Sequence, residues 1–566
     1  MTSAASDLPR AVVDRAALDS AALDSAHVGD IRGALGTISV DDLAARSSAT
    51  AKLKTLLAIV GPGLIVMVGD NDAGAFSTYG QAGQNYGTHL LWTFVLLIPV
   101  LYVNQEMVLR LGAVSGVGHA RLILERFGRF WGAFSVIDLF LLNALTIITE
   151  FIGITLAAGY LGVPKIVAVL LAALVIVASA MTGSFRRFER IAIAFCAGSL
   201  LLIPLYVLSH PAAGQVATGF VLPSMPGGSG QLATVMLLVI GIVGTTVAPW
   251  QLFFQQSYVI DKRITPRFIP YEKADLVIGI AVVIVGGAAL MGASAAAFAG
   301  TPAAGHYTDA AGLAAGIAAS AGKAAGALFA VALLDAAMIG AFAVSLSTAY
   351  ALGDVLGLKH SLHRGVRQAK GFYVMYAALI GGAATIVLIP GSPLGLFTEG
   401  VQVLAGVLLP SATVFLLMLC NDRAVLGPWV NGRFTNAFTG AVIALLIMLS
   451  LILVASVTFP HIGSRQIVMI MIGFAGLALI AVAAILVRSR GPEADVQTSP
   501  ADGAEPGRLT RPDSLSKENW RMPALTMLAP APMSVGRRLC LAGMWIYLVI
   551  ATAAVVLRIA EAAIGH

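Results

Sequence analysis

Long apolar runs recur along nearly the whole chain, and they constrain its fold more than any other feature. A helix that crosses a hydrocarbon core of about 30 Å needs about 20 mostly apolar residues. Apolar residues make up 58% of the 566 and charged residues only 11%, whereas soluble domains carry about 25% charged residues. The pattern predicts an all-α polytopic membrane protein rather than a soluble enzyme.

About thirteen apolar spans are predicted, near residues 56–80, 88–110, 133–160, 164–182, 190–208, 233–258, 275–299, 324–352, 371–390, 398–420, 436–458, 466–487 and 538–557. The chain is expected to divide into a disordered cytoplasmic tail (1–50), a transmembrane transport domain of about 12 helices (51–487), a cytoplasmic linker (488–536) and an additional transmembrane helix (537–566).

Basic residues set the predicted orientation of the chain. The formal net charge is +6, but the Lys and Arg residues lie in short loops between apolar spans, so the charge does not indicate nucleic-acid binding. Most of these loops follow even-numbered spans, which places them and the N-terminus in the cytoplasm by the positive-inside rule. We therefore expect a multi-pass protein of the inner cell membrane, with the lipid bilayer as its partner. The sequence leaves the oligomeric state open.

The first apolar span is interrupted near its centre by polar residues. Gly69, Asp70, Asn71, Asp72 and Gly74 follow one another within six positions. Two carboxylates and a carboxamide at this depth are costly unless they face a cavity or a cation. The interruption therefore predicts a broken helix with a functional site beside it.

The sixth span is interrupted in a similar way, by Gly244, Thr245, Thr246 and Pro249. A proline within a helix has no N–H, so the carbonyl four residues earlier, that of Thr245, is free to bind another group. Irregular backbone at this depth is tolerated only where it is buried in protein or lines a cavity. Ordinary kinked helices are the alternative, but they would not explain the carboxylates beside the first break.

Breaks in helices 1 and 6 of a ten-helix core divide it into two halves of five helices. Because five is an odd number, the second half enters the membrane from the opposite side, and the two repeats are inverted. The expected fold is a leucine-transporter-type 5+5 inverted repeat with broken helices 1 and 6, plus two or three extra C-terminal helices. The site would lie between the broken helices.

Seven short motifs occur in the order found in the NRAMP family of divalent-metal transporters, which the chain resembles from residue 56 to about 458. The motifs are GPGLIVMVGDNDAGAF, NQEMVLRLGAVSG, TEFIGITLAAGYLGVP, FRRFER, GFVLP, TTVAPWQLFFQQ and VQVLAGVLLP. The resemblance places Asp72 and Glu150 on acidic residues of the family. It also implies metal binding by the Thr245 carbonyl and by Gln402.

Other positions depart from the family pattern. Ala248 stands where the family has a metal-binding Met, Trp250 where it has a His, Ala75 where it has an Asn, and Ile147 where it has an Asp associated with proton movement. Thioether sulfur favours soft transition metals, whereas oxygen ligands and water suit Mg²⁺, Ca²⁺ and Mn²⁺. The chain thus resembles the divergent magnesium-transporting branch related to NRAMP.

The predicted metal-site residues are accordingly Asp72, Asp70, Asn71, Thr245, Ala248 and Gln402. Glu150, Asp335 and Trp250 are candidates for proton handling or for a supporting role around the site. Asp335 is included because a carboxylate inside an apolar span is functional by default, although the sequence names no partner for it.

The expected function is secondary transport of a divalent cation, Mg²⁺ and also Mn²⁺, by alternating access with weak or no proton coupling. No cofactor is expected, and no P-loop, HExxH or nucleophile-elbow motif indicates an enzyme. Two alternatives stay open. One is a proton-coupled Mn²⁺ or Fe²⁺ transporter of the NRAMP type, and the other is an amino-acid or other organic-solute transporter of the same fold.

Overall fold

A computed structural model describes residues 25–42, 44–226, 232–390, 394–458, 464–488, 517–518, 520–528, 530–531, 538, 541–551 and 553. Its helices are α1 (Ala49–Ile59), α2 (Pro62–Val68), α3 (Ala73–Tyr86), α4 (Trp92–Ser115), α5 (His119–Phe127), α6 (Arg129–Tyr160), α7 (Lys165–Ala180), α8 (Phe185–Gly198), α9 (Leu202–Leu208), α10 (Ala213–Val221), α11 (Leu232–Thr246), α12 (Pro249–Asp261), α13 (Ile269–Phe298), α14 (Ala310–Ala321), α15 (Lys323–Leu356), α16 (Lys370–Leu388), α17 (Leu394–Cys420), α18 (Arg423–Leu426), α19 (Arg433–Thr458), α20 (Ser464–Arg488) and α21 (Leu541–Ala551).

Short 3₁₀ turns and one small sheet complete the described structure. The turns are Ser25–His27, Ser199–Leu201, Pro266–Phe268, Gly427–Trp429 and Leu525–Met527. The sheet pairs β1 (Ile31–Arg32) antiparallel with β2 (Thr37–Ile38), with Ile31 opposite Ile38.

The apolar helices agree with a polytopic membrane protein. Among the described residues, eight helices are long and apolar enough to cross a membrane, or up to ten if each bent pair of helices counts as one span. Shorter apolar helices, including α7 and α21, lie on other predicted spans. Leu170, Leu171 and Leu174 on α7 are each more than half exposed. This surface suits lipid, because apolar side chains are more stable in hydrocarbon than in water.

Both predicted helix breaks are present, which confirms the predicted fold class. Helix 1 consists of α1, bent by 53° into α2, and then α3, with residues 69–72 between α2 and α3 outside any helix. Helix 6 consists of α11 and α12, separated by Val247 and Ala248. Pro249 occupies the first position of α12, where a helix has no need of that N–H. All thirteen residues of α12 are buried, so this half of helix 6 runs through the centre of the protein.

Part of the segment expected to be a disordered tail is folded. Residues 25–42 contain the first 3₁₀ turn and the β1–β2 hairpin, which packs on the end of α1. Residues 1–24 lie outside the described part of the chain, as do residues 489–516 of the predicted linker. Near the end of that linker, the Lys517 ammonium lies over the Trp429 ring at 4.5 Å from its centre.

Candidate metal centre

Asp72 lies at the start of the second half of helix 1. Its backbone is extended, and its Oδ1 accepts a hydrogen bond from the N–H of Ala75 at 2.8 Å. This is the geometry of an N-cap, in which a short polar side chain satisfies a free N–H of the first helical turn. The cap uses one oxygen of the carboxylate and fixes its orientation. The other oxygen, Oδ2, is not used by the cap, so Asp72 can cap α3 and also act as the predicted metal ligand.

Asp70 is bound by helix 6. The Gln251 Nε2 donates to Asp70 Oδ1 and also lies 3.3 Å from the Thr246 carbonyl oxygen. The Gln251 Oε1 in turn accepts from Gln105 Nε2 on α4 at 2.9 Å. Gln251 and Gln105 were not among the predicted site residues. The available signal was their position, since an amide within an apolar span usually bonds a neighbouring helix.

Glu150 on α6 lies beside Asp72. Its Oε2 accepts from the N–H of Ala73 at 3.1 Å, and its carboxyl group is directly adjacent to that of Asp72. Gly340 on α15 makes room for both side chains, because a Cβ there would be 2.7 Å from the Glu150 carboxyl carbon and 3.0 Å from the Asp72 Cβ. The structure thus brings Glu150 into contact with the break in helix 1.

The three carboxylates are buried without a basic partner. Asp70 and Glu150 are 0% exposed and Asp72 is 3% exposed. Within the described ranges, neither Lys, Arg nor His forms an ion pair with any of them. An uncompensated buried charge costs several kcal/mol, so such groups bind a proton or a cation. One Asp70 oxygen and one Glu150 oxygen lack a hydrogen-bond partner among the described residues, and they could bind one.

The break in helix 6 faces the same region. Thr245 is 2% exposed and ends α11 together with Thr246, and Pro249 offers no N–H to the Thr245 carbonyl. Ala248 is buried and caps α12 in an extended conformation. The Trp250 ring packs against Gly69, where a Cβ would be 3.3 Å from Cη2. The indole therefore fills space between the two breaks.

Asn71 and Asp335 make contacts outside the two breaks. The Asn71 Nδ2 donates to the Val283 carbonyl on α13 at 3.3 Å, and its Oδ1 has no hydrogen-bond partner among the described residues. Asp335 lies half-buried on α15 against Gly198 of α8, and the contacts described for it do not include the broken helices. Gln402 is on α17, and its side chain lies outside the described residues.

Two cavities lie along one face of α6, on either side of Glu150. A cavity of about 280 Å³ is lined by Thr149 and Gly153 of α6, by Ala73 and Ser77 of α3, and by the segment before α14. A smaller cavity of about 10 Å³ is lined by Asp138 of α6 together with residues of α12 and α17. The larger cavity reaches Ala73, directly after Asp72, and the smaller one reaches Pro249, directly after Ala248.

Asp138 is an intramembrane carboxylate that the sequence reasoning missed. Its Oδ2 accepts from the Ser411 hydroxyl at 3.2 Å. It stands in an apolar span like Glu150 and Asp335, so its position alone was a signal for a buried acid.

Comparison with known proteins agrees with this architecture. The family described as "Natural resistance-associated macrophage protein-like", or Nramp, matches residues 63–456. The chain belongs to the Nramp family. It is 31% identical over 425 residues to a protein of Ralstonia nicotianae named "Divalent metal cation transporter MntH", which covers 71% of this chain and 91% of that protein. A "Divalent metal cation transporter MntH 1" of Pseudomonas aeruginosa is 29% identical over 413 residues, or 70% and 90% of the two chains.

Solved Nramp structures share the fold. The manganese transporter of Eremococcus coleocola superposes with a TM-score of 0.58 and 23% sequence identity, covering 80% of this chain and 98% of that one. The predicted family, the absence of enzymatic function and the transport of divalent metal cations are thus confirmed. This Nramp protein is a multi-pass membrane transporter for divalent metals, and the organic-solute alternative is set aside.

Proposed function

We propose that this Nramp protein transports Mg²⁺, and Mn²⁺ as a second substrate, by alternating access with weak or no proton coupling. The observation that carries the proposal is the pair of buried carboxylates, Asp70 and Asp72, which lie beside two helix breaks and form no ion pair with a basic side chain in the described ranges. A divalent cation is a compensating charge for two such groups. The oxygen donors suit a hard ion.

The ligand set that we propose is Asp72, Asp70 and the Thr245 carbonyl, with Gln402 carried over from the family resemblance. Ala248 offers no sulfur, and its small side chain leaves space for water. Mg²⁺ dehydrates reluctantly and usually keeps several waters while touching one or two carboxylates. We assign Asn71 a supporting role, because its amide bonds α13 instead of turning toward helix 6.

Weak proton coupling is supported by the residues that replace titratable groups. Ile147 on α6 is fully buried and cannot bind a proton, and Trp250 cannot replace an imidazole in proton transfer. The driving force would then be the cation gradient and the membrane potential, which favours inward movement of a double charge by about 4.6 kcal/mol per 100 mV.

Proton-coupled Mn²⁺ transport is the second candidate, and one specific observation favours it. Glu150 remains beside Asp72, where it could take up a proton when the metal leaves. Proteoliposomes with an internal pH dye separate the two candidates. We expect metal uptake without metal-dependent acidification. Acidification that is lost in Glu150→Gln, while metal uptake persists, would favour the second candidate.

Isothermal titration of the purified protein with Mg²⁺, Mn²⁺ and Cd²⁺ tests the cation assignment. We expect binding of Mg²⁺ and Mn²⁺, weak binding of Cd²⁺, and loss of all binding in Asp72→Ala. Tighter binding of Cd²⁺ than of Mg²⁺ would overturn the magnesium assignment and indicate a transition-metal transporter.

We also propose that the N-terminus and the loops after even-numbered spans are cytoplasmic. Arg263, in the loop that follows helix 6, donates to the carbonyls of Ala26 and Asp30, so the N-terminal segment and this basic loop lie on one side. That side carries most of the basic loops, as the positive-inside rule requires of the cytoplasmic face.

A further inference from the structure

The N-terminal segment, residues 25–42, is packed closely on the last turn of α1. A Cβ at Gly33 would be 2.0 Å from the Ala58 carbonyl oxygen, and one at Gly36 would be 2.9 Å from the Ala58 Cβ. Ile31 and Ile38, a cross-strand pair of the hairpin, are both buried. The hairpin therefore has an apolar contact face, and its two glycines allow direct backbone approach to α1.

A buried ion pair joins this hairpin to three helices. Glu189 on α8 accepts from the N–H of Ala34 at 2.6 Å and from the Lys262 ammonium at 2.7 Å. Lys262, directly after α12, also donates to the carbonyls of Ile59 and Val60 at the end of α1, at 2.6 and 2.8 Å. Both charged side chains are 0% exposed. Removing one partner of such a pair is strongly destabilising, because the other charge stays buried.

Arginines from two elements bind the backbone of the same segment. They donate to main-chain carbonyls, a contact that needs a defined backbone conformation and not a particular side chain. The pairs are Arg186 with Gly33 at 3.0 Å and Gly36 at 3.2 Å, Arg190 with Ala34 at 3.1 Å, Arg263 with Ala26 at 2.9 Å and Asp30 at 3.1 Å, and Arg267 with Asp42 at 2.7 Å.

These contacts connect parts of the fold that alternating access must separate. The end of α1 and α8 belong to the first five-helix half, whereas the end of α12 and the arginines that follow it belong to the second half. In transporters of this architecture, access changes when one group of helices moves against the other around a fixed site. A segment bonded to both groups opposes that movement. We propose that residues 25–42 form a strap that holds the cytoplasmic gate closed and limits the rate of transport.

The cavities agree with a closed gate on the strap side. The cavity next to Ala73, on the α14 side, has a volume of about 280 Å³, whereas the cavity next to Pro249, at the start of α12, has only about 10 Å³. The strap contacts the other end of α12, at Lys262. A ligand or contact that binds one conformation better than another shifts the population toward it. The strap would favour the state that is closed to the cytoplasm.

Locking the strap covalently is the first test, and it uses Gly36→Cys with Ala58→Cys. The two side chains would start closer than the usual Cβ separation of about 3.5–4.5 Å, which a small backbone shift restores. The pair is introduced into a chain whose three native cysteines are replaced. A strap that cannot leave α1 stays in place for its bonds to Arg263 and Arg267 of the second half. We therefore expect oxidation to lower divalent-metal uptake into proteoliposomes about tenfold or more, and reduction to restore it. Undiminished uptake by the oxidised protein would overturn the proposal that this link limits transport.

Loosening the strap is the complementary test, and it uses the double variant Arg186→Gln, Arg190→Gln. Arg187→Gln is the matched control, since it removes a charge from the exposed side of the same helical turn. We expect the double variant to raise the uptake rate about threefold or more and the control to leave it unchanged. An unchanged rate in the double variant, or an equal change in the control, would overturn the proposal.

Metal binding measured on the same samples separates this proposal from the proposed substrate. The rates are recorded with both Mg²⁺ and Mn²⁺, and the central-site affinity is titrated in each variant. If the strap variants change the uptake rate of the transported cation while its affinity stays unchanged, the gate is supported even if the magnesium assignment fails. Altered affinity with no change in rate would instead contradict the gate.

Discussion

Gln251 donates a hydrogen bond from its side-chain amide to the carboxylate of Asp70, so the second half of helix 6 holds the break in helix 1 directly. The orientation of Gln251 is set by Gln105, which donates to its Oε1 at 2.9 Å. A cation bound by Asp70 would therefore meet a carboxylate whose position depends on two other helices. Loss of a group that orients a metal ligand in this way typically lowers metal affinity by about 10–100-fold.

Removal of this amide should weaken metal binding without removing a ligand. In Gln251→Leu we expect the affinity for Mg²⁺ and Mn²⁺ to fall about 10–100-fold, because the Asp70 carboxylate loses the donor that orients it. The affinity is measured by isothermal titration. Gln255→Leu is the control, because it removes another amide of α12, one that does not bond Asp70. The affinity of this variant should stay within about twofold of the wild-type value. Equal losses in the two variants would indicate a general disturbance of α12.

Replacement of Asp72 should abolish cation uptake. Asp72→Ala removes an ionised oxygen from a site with few others, and it removes the N-cap of α3, which costs about 1 kcal/mol. We expect a folded, membrane-inserted protein with background uptake in proteoliposomes. Asp335→Asn is the control, since it neutralises another intramembrane carboxylate that packs on α8, and its uptake should persist. Wild-type uptake in Asp72→Ala would remove this residue from the site.

Selectivity should respond to a thioether at the break in helix 6. In Ala248→Met we expect Cd²⁺ affinity to rise and Mg²⁺ transport to fall, because sulfur binds soft ions and displaces water that a hard ion retains. Val247→Met places the same side chain one residue earlier and serves as the control. If both variants change stability but keep the wild-type order of cation preference, Ala248 is a packing residue only.

The stability of the loop after α15 should depend on pH through His360. Burial lowers the pKa of His360, but the Asp354 carboxylate, 2.9 Å from Nε2, and the Leu358 carbonyl, 2.6 Å from Nδ1, raise it to about 9. Because both ring nitrogens face acceptors, the folded protein favours the imidazolium. The preference corresponds to about 3 kcal/mol of folding free energy.

The sign follows from the raised pKa. The contribution is fully present below the ordinary histidine pKa of 6.5 and is lost as the pH rises through about 9. We expect the midpoint of thermal unfolding to fall between pH 7 and pH 10 in the wild type. The fall should be smaller in His360→Gln, whose side chain does not titrate. Parallel pH curves for the two proteins would contradict the ion pair.

The sequence predicted the two helix breaks but not the way in which they are joined. Pro249 and the run from Gly69 to Asp72 are local signals, because a missing N–H and intramembrane carboxylates have the same consequences in any context. The bond between Gln251 and Asp70 spans 181 positions and depends on how helices 1 and 6 cross. Asn71 shows the same limit, since nothing local indicates that its amide nitrogen bonds the Val283 carbonyl, 212 positions away.

The sequence by itself determined which segments lie in lipid and which lie in water. The length of the apolar spans, the position of the breaks and the acidic residues at Asp70 and Asp72 depend on local chemistry, and they indicate a membrane transporter with a cation site. The fold class and family are confirmed by the structure and its relatives. Only the tertiary structure decided the docking of the N-terminal segment. Its polar composition predicted disorder, but its order comes from Glu189, Lys262 and the arginines of distant helices. Such contacts form between residues far apart in the chain, so they cannot be predicted from local composition.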